Sequence, residues 1–169
     1  MSPFICRAMQ LRDLADVIRI QSEAYVDEIL ETDEVITQRF IQTADTSWVV
    51  ERRGEVCGYL VGYYTNLGEV SPWGCEFSHK PSADTFYMHD LAISRAAVGY
   101  GLGPFIVKHA LAQVPHDALT HAALVSVQNS KGFWEKLGFV TFENLMQAQR
   151  QHLATYAGPA FYMVKSLQV

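Results

Sequence analysis

Two adjoining stretches of the sequence carry residue types that could do chemistry. In Ala97-Val98-Gly99-Tyr100-Gly101-Leu102-Gly103, three of the chain's 11 glycines stand at alternate positions. Glycine inside a helix or strand costs roughly 0.5–1 kcal/mol relative to alanine. Three in five residues therefore mark a place where side chains would be in the way. An apolar helical pattern follows from Pro104. At such a helix start, free backbone N–H groups and the helix dipole favour an anion such as phosphate. A tight strand-to-helix turn without a ligand is the plainer reading of the same residues.

Just upstream, Tyr87-Met88-His89-Asp90 lies in a strand pattern. Histidine has the intrinsic pKa best suited to taking a proton near neutral pH, and a carboxylate can serve the same role. Strand neighbours face opposite sides, so His89 shares a face with Tyr87, and Asp90 takes the other. A satisfied structural histidine, or an aspartate accepting loop amides, would look the same in sequence.

Two familiar phosphate loops do not fit. A dinucleotide fingerprint needs G-x-G-x-x-G and an acidic residue after the following strand. Here the pattern is G-x-G-x-G, and the following strand ends at Gln128-Asn129. A nucleotide-binding P-loop needs Gly-Lys-Ser/Thr, which Gly103-Pro104-Phe105 is not.

These residues must be held by a framework, and its bounds come from composition. The chain has 169 residues, 49% hydrophobic and 18% charged, in line with one globular domain over residues 1–169. Its formal net charge is −5 with no Lys/Arg run, which argues against nucleic acid or an anionic membrane as partner. Cys6, Cys57 and Cys75 are too far apart for a metal or disulfide motif, so no metal is expected. Cys75, in a polar loop, is the thiol expected to be most reactive. No apolar run approaches the roughly 20 residues of a membrane span. The start, MSPFICRAMQLRD, lacks a signal-peptide core. The expectation is a soluble cytoplasmic protein.

Phe4 to Met9 reads as a strand, and helical spacing predicts helices from about Arg12 to Tyr25 and over Asp33–Thr43. Ser47 to Thr65 reads as a hairpin turning at Arg53-Gly54-Glu55. Asn66 to Asp84 lacks periodicity and holds Gly68, Pro72, Gly74 and Pro81, which predicts a long loop of functional or mobile character. Then come a strand over Phe86–Ile93, the glycine stretch and a helix with Pro104 in its first turn. AALVSVQ reads as a strand and NSKGFWEKLGF as a short helix closed by Gly138. FVTFEN and AFYMVKSL are two last strands, separated by a polar segment over Leu145–Pro159. The expected fold class is α/β, in the order β-αα-βββ-α-β-α-ββ.

Four features together resemble the GNAT superfamily of acetyl-CoA-dependent N-acyltransferases. Val98 to Gly103 is similar to that family's Gln/Arg-x-x-Gly-x-Gly/Ala motif except at its first position. His89-Asp90-Leu91-Ala92-Ile93-Ser94 resembles its fourth strand. Asn129 resembles the asparagine that often opens its fourth helix. Phe133 to Phe139, FWEKLGF, is similar to its Phe-Tyr-Glu-Lys-Leu-Gly-Phe, and AFYMVKSL to its closing strand. The motifs cover roughly residues 86 to 139, and the element order agrees over nearly the whole chain.

The resemblance implies a GNAT-like mixed, mostly antiparallel sheet of about seven strands with four helices. It implies acetyl-CoA as cosubstrate and a small-molecule or peptide amine as acceptor, attacked directly in a ternary complex. A homodimer is common among such proteins. The resemblance assigns the pyrophosphate to the backbone of Val98, Gly99, Tyr100, Gly101, Leu102 and Gly103. The pantetheine amides would pair with Leu91, Ala92 and Ile93, and Asn129, Phe133 and Trp134 would complete the cofactor-binding set. The catalytic set is His89, Asp90 and Tyr87, with Glu23 a weaker candidate base.

Two positions depart from the family pattern. Val98 cannot donate to phosphate, a lack that Arg95 could offset. Trp134 stands where many members carry a tyrosine acid, and an indole N–H cannot supply a proton. These departures motivate the alternative of a non-catalytic acyl-CoA-binding or regulatory domain. The aromatic content of the loop around Trp73 and Phe77, the helix pair up to Thr43 and the segment around Tyr156 suggests an acceptor pocket for a small or hydrophobic amine.

Overall fold

Alternating apolar residues and left-handed turn positions set the strands of this chain. The computed structural model describes residues 3–77 and 79–168; Ser78, inside the expected loop over 66–84, lies outside them. The strands are β1 (Ile5–Ala8), β2 (Ser47–Arg52), β3 (Glu55–Thr65), β4 (Thr85–Ile93), β5 (His121–Ser126), β6 (Val140–Thr141) and β7 (Phe161–Ser166). The α-helices are α1 (Leu14–Ala24), α2 (Asp33–Thr43), α3 (Leu102–Gln113), α4 (Lys131–Lys136) and α5 (Gln147–Leu153). The seven strands form one sheet in the order β1-β2-β3-β4-β5-β7-β6. β4 and β5 pair in parallel, while β1–β2, β2–β3, β5–β7 and β6–β7 are antiparallel.

The chain divides into two compact units, each of two segments. Unit 1 comprises residues 1–62 and 90–114, and unit 2 comprises residues 63–89 and 115–169. In unit 1 the β2–β3 hairpin turns as expected at Arg53 and Gly54, both left-handed (φ 53° and 82°), the geometry of a tight two-residue turn. Its core holds Val17 and Ile20 of α1, Val49 of β2, Tyr59 and Leu60 of β3, and Ile106 of α3, all buried. Asp13 is also buried. Its carboxylate takes two bonds from Arg7 (2.7 and 2.9 Å) and one from the Gln10 amide (2.8 Å). Burial works against that charge, but these donors outweigh it and hold the Asp13 carboxyl below its usual range.

Unit 2 is built on the parallel pairs from Thr85–His121 to Met88–Leu124 and the antiparallel pairs of β5 with β7. Phe86, Tyr87, Leu124, Tyr162, Met163 and Phe139 fill its core. The polar segment 145–159, to which the sequence assigns no element, contains the short helix α5. None of the residues of α5 is buried, so it lacks the apolar stripe that announces a helix in sequence. Gly138 closes α4 in the left-handed conformation (φ 87°), and the Lys165 ammonium donates to the Leu137 carbonyl at 2.6 Å beside it.

Gly58 on β3 packs closely against the end of β4 in unit 1. A Cβ there would lie 3.0 Å from the Ala92 carbonyl oxygen and 2.5 Å from Ile93 Cδ1. The side chain could move, but the backbone oxygen could not. Gly58→Ala is therefore expected to lower stability by about 1–3 kcal/mol, measured by urea unfolding, with the slope of the transition unchanged.

Candidate active site

The glycine stretch lies wholly in unit 1. A single 3-10 turn, Arg95–Ala97, leads from β4 into it, and Gly101 is the N-cap of α3. Gly99 and Gly101 are both left-handed (φ 92° and 73°), a conformation that penalises any residue with a Cβ. A Cβ on either would meet nothing within 4 Å, so the glycines face open space and no neighbouring side chain explains them. The amides of Gly99, Gly101, Leu102 and Gly103 have no acceptor among the described residues. The last two belong to the first turn of α3, whose N–H groups have no partner within the helix. α3 begins at Leu102, so Pro104 falls inside the first turn, where its missing amide breaks no helical bond. The unpaired amides and open approach fit the pyrophosphate of a coenzyme A. Val98 (67% exposed) and Tyr100 (62%) turn their side chains outward.

Glu23 at the end of α1 is engaged at this loop. Its carboxylate accepts from the Arg95 amide at 3.0 Å and from Arg19 at 2.8 Å. The Arg95 backbone bond, against some desolvation and with help from Arg19, holds the Glu23 carboxyl below its usual range. A carboxylate so committed is a fastening for the turn at Arg95, and a poor base.

Asp90 is held more tightly. Tyr25, which caps α1, donates to Asp90 Oδ1 at 2.6 Å, and Tyr59 of β3 donates to Asp90 Oδ2 at 2.7 Å. The Tyr25 hydroxyl also lies 2.8 Å from the Leu91 carbonyl. One of the three backbone positions expected to meet pantetheine thus already has an internal partner at its oxygen. Ala92 is buried, whereas Leu91 and Ile93 are half-buried. The parallel ladder with β5 covers Thr85–Met88, and β4 runs five residues further to Ile93. Burial, and then the Asp90 charge, push the Tyr25 and Tyr59 hydroxyls well above their ordinary pKa.

In unit 2, His89 sits in an aromatic cluster. Phe77 meets its ring edge-on at 4.5 Å, and Tyr87 lies on the same strand face with ring centroids 6.4 Å away. Burial, and then Tyr156, push the Tyr87 hydroxyl well above the ordinary range. Trp134 is buried edge-on between Phe133 (4.8 Å) and Phe139 (5.5 Å), a packing residue of α4. Gln128 and Asn129 after β5 are both left-handed (φ 51° and 59°), an uncommon pair of non-glycine positions. Asn129 tolerates that conformation better than most residues, a signal visible in its type alone. Among the described residues no three His, Cys, Asp or Glu gather as a metal site, and no helix is long and apolar enough to cross a membrane.

The two tyrosines on Asp90 carry no signal in the sequence, because nothing in local spacing links positions 25, 59 and 90. Their geometry generates two expectations. Asp90→Ala leaves Tyr59 with a buried, unmatched hydroxyl, while Tyr25 keeps the Leu91 carbonyl. The loss should be about 1–3 kcal/mol, and Tyr59→Phe should recover part of it in that background where Tyr25→Phe should not, as read in a double-mutant cycle. The raised pKa values of Tyr25, Tyr59 and Tyr87 give stability that is whole below the ordinary tyrosine pKa of 10.0. As pH rises past that value the unfolded chain ionises first and stability falls. In an alkaline absorbance titration these three of the eight tyrosines should ionise only with unfolding.

A model of the acetyltransferase (GNAT) family matches residues 14–139. Among solved structures, Ard1 from Thermoplasma volcanium superposes with a TM-score of 0.73 at 16% identity, over 99% of each chain. The ribosomal-protein-S18-alanine N-acetyltransferase from Escherichia coli gives 0.69 at 11% identity, over 98% of this chain and 95% of that one. The GphF GNAT-like decarboxylase, solved with isobutyryl-CoA, gives 0.75 at 11% identity, over 97% and 100%. None of the curated proteins matches the chain in sequence.

Proposed function

Because the chain belongs to the acetyltransferase (GNAT) family, whose members are acyl-CoA-dependent acyltransferases, we propose that it transfers acetyl from acetyl-CoA to a primary amine within one domain over residues 1–169. The observation that carries this reading is the pair of left-handed glycines facing open space, beside four amides without acceptors at the head of α3. Those amides suit the pyrophosphate. Val98 contributes no side-chain donor, and exposed Arg95 supplies the nearest positive charge of that turn. The Leu91–Ile93 backbone is assigned to the pantetheine arm, and Asn129, Phe133 and Trp134 complete the proposed cofactor-binding set.

The reaction is direct attack. The amine nitrogen bonds to the thioester carbonyl carbon, the C–S bond breaks, and the coenzyme leaves as a thiolate. An alkyl amine of pKa about 10.4 is mostly protonated at neutral pH, and freeing its lone pair costs roughly 4–5 kcal/mol. His89 is the favoured base, because both Asp90 oxygens and the Glu23 carboxylate already hold internal donors. Tyr87 shares its strand face. No general acid is assigned: a thiol pKa of about 8.5 makes the thiolate a tolerable leaving group, and Trp134 is held in aromatic packing.

Acetyl-CoA at about 100 times its Kd should stabilise the protein by about 2.7 kcal/mol, seen as a rise of roughly 5–10 °C in Tm. Val98→Arg should tighten that binding, by about three- to tenfold, through a charge-assisted bond to phosphate. In a thiol-release assay across amines, His89→Ala should lower kcat by about 10²–10⁴ with the acetyl-CoA Kd unchanged, and Asp90→Asn should change kcat much less. Thermal stabilisation without thiol release from any amine would favour a non-catalytic acyl-CoA-binding domain instead. The absence of any stabilisation would reject both.

A further inference from the structure

The long loop after β3 is fastened to α5, and the fastening leaves a cavity within unit 2. Gln149 Oε1 accepts from the Val70 amide (2.7 Å), and His152 Nδ1 meets the Val70 carbonyl (2.8 Å). Thr155 Oγ1 accepts from the Trp73 amide (2.8 Å), and the Tyr156 hydroxyl donates to the Ser71 carbonyl (2.9 Å). Beside this loop lies an open cavity of about 220 Å³. Tyr63 and Phe77 are in its lining, stacked at 4.5 Å with their planes 19° apart. Phe77 also meets the His89 ring, with centroids 4.5 Å apart.

The polar groups of the lining select a cation. Lys80, the one ammonium in it, is paired with Glu69. That leaves Glu76, exposed and with no cation paired to it among the described residues. The carbonyl facing His152 Nδ1 has no proton to give, so Nδ1 carries one. A carboxylate beside aromatic side chains favours an ammonium group on a flat apolar body. A carboxylate ligand would meet no uncommitted charge partner here.

From this geometry we infer that the cavity between the 66–77 loop and α5 binds the acceptor, and that the acceptor is a small arylalkyl primary ammonium, with its ring against Tyr63 and Phe77 and its charge toward Glu76. The assignment rests on the acetyl-transfer reading for the fate of the amine, and not for its binding. Phe77 lines the cavity and also meets the ring of His89, the base assigned above.

Cys75 also lines the cavity and provides a binding readout independent of turnover. The other thiols are subdued by burial, Cys6 being pushed up to about 12 and Cys57 also raised, so alkylation will report chiefly on Cys75. The experiment follows iodoacetamide labelling of Cys75 in the full chain by peptide mass spectrometry, with 2-phenylethylamine or its neutral counterpart 2-phenylethanol present. The amine should slow labelling several-fold in a saturable way, and the alcohol should not. Glu76→Gln should weaken this protection about tenfold, while Glu76→Asp retains most of it. In the thiol-release assay Glu76→Gln should raise KM for the amine by a similar factor with kcat within twofold.

Equal protection by amine and alcohol, or none by either, overturns the inference. If other amines are acetylated while Cys75 stays unprotected, the cavity assignment falls and acetyl transfer stands. Protection by the amine in a protein that releases no thiol supports the cavity and removes the acetyl-transfer reading.

Discussion

A half-buried carboxylate is tolerable only when its oxygens are matched, and in unit 1 the Asp90 side chain meets that condition with two tyrosine hydroxyls. Tyr25 comes from the end of α1 and Tyr59 from the middle of β3. Hydrogen bonds to a charged group are roughly twice as strong as neutral ones, and each fixes a direction as well as a distance. Two residues before Tyr25, Glu23 takes the Arg95 amide. The end of α1 is thereby tied to β4 and to the turn that follows it. The strand's last residues, the turn and the open glycines inherit their positions from these two attachments. Backbone held still beforehand loses less entropy when it meets a ligand, and side chains at the end of α1 hold this backbone.

The same principle operates in unit 2 with weaker individual bonds. The loop 66–77 has few buried apolar side chains, so its order depends on the polar residues of α5 and the turn after it. Gln149, His152, Thr155 and Tyr156 each reach a backbone atom of the loop. α5 buries none of its residues, and its contribution is a row of side-chain partners for a segment that would otherwise lack them. Phe77, buried and stacked on Tyr63, anchors the far end of the loop. A loop held in this way can carry specificity, because its shape is defined while its sequence is free to vary.

Much of the framework was readable in advance. The β2–β3 hairpin announced itself through alternation and Arg53-Gly54, α1 through its apolar spacing, and the end of α4 through Gly138. The α/β element order followed from such signals, and the GNAT-like seven-stranded, mostly antiparallel sheet that the family resemblance implied agrees with the observed topology, with α5 an added helix between β6 and β7. The glycine stretch stood out as a turn into a helix where side chains would be in the way, and Gly99 and Gly101 are left-handed and face open space. Less was legible where polarity masked structure. α5 has no apolar stripe, so its polar segment carries no helix signal in sequence. β6 shrank to two residues of the expected FVTFEN, and β5 stopped at Ser126 because Gln128 and Asn129 adopt left-handed conformations that end a strand.

The sequence by itself determined which backbone could approach a ligand, since conformational freedom and helix starts are properties of a few neighbouring residues. By chemical type it offered His89 and Asp90 as candidate bases, and the family resemblance added Glu23 as a weaker one. Which of these is already committed was decided only by tertiary structure. Asp90 and Tyr25 are 65 positions apart, and Glu23 and Arg95 are 72. Hydrogen bonding over such separations leaves no periodic trace, because it depends on where the folded chain brings two atoms to within about 3 Å of each other.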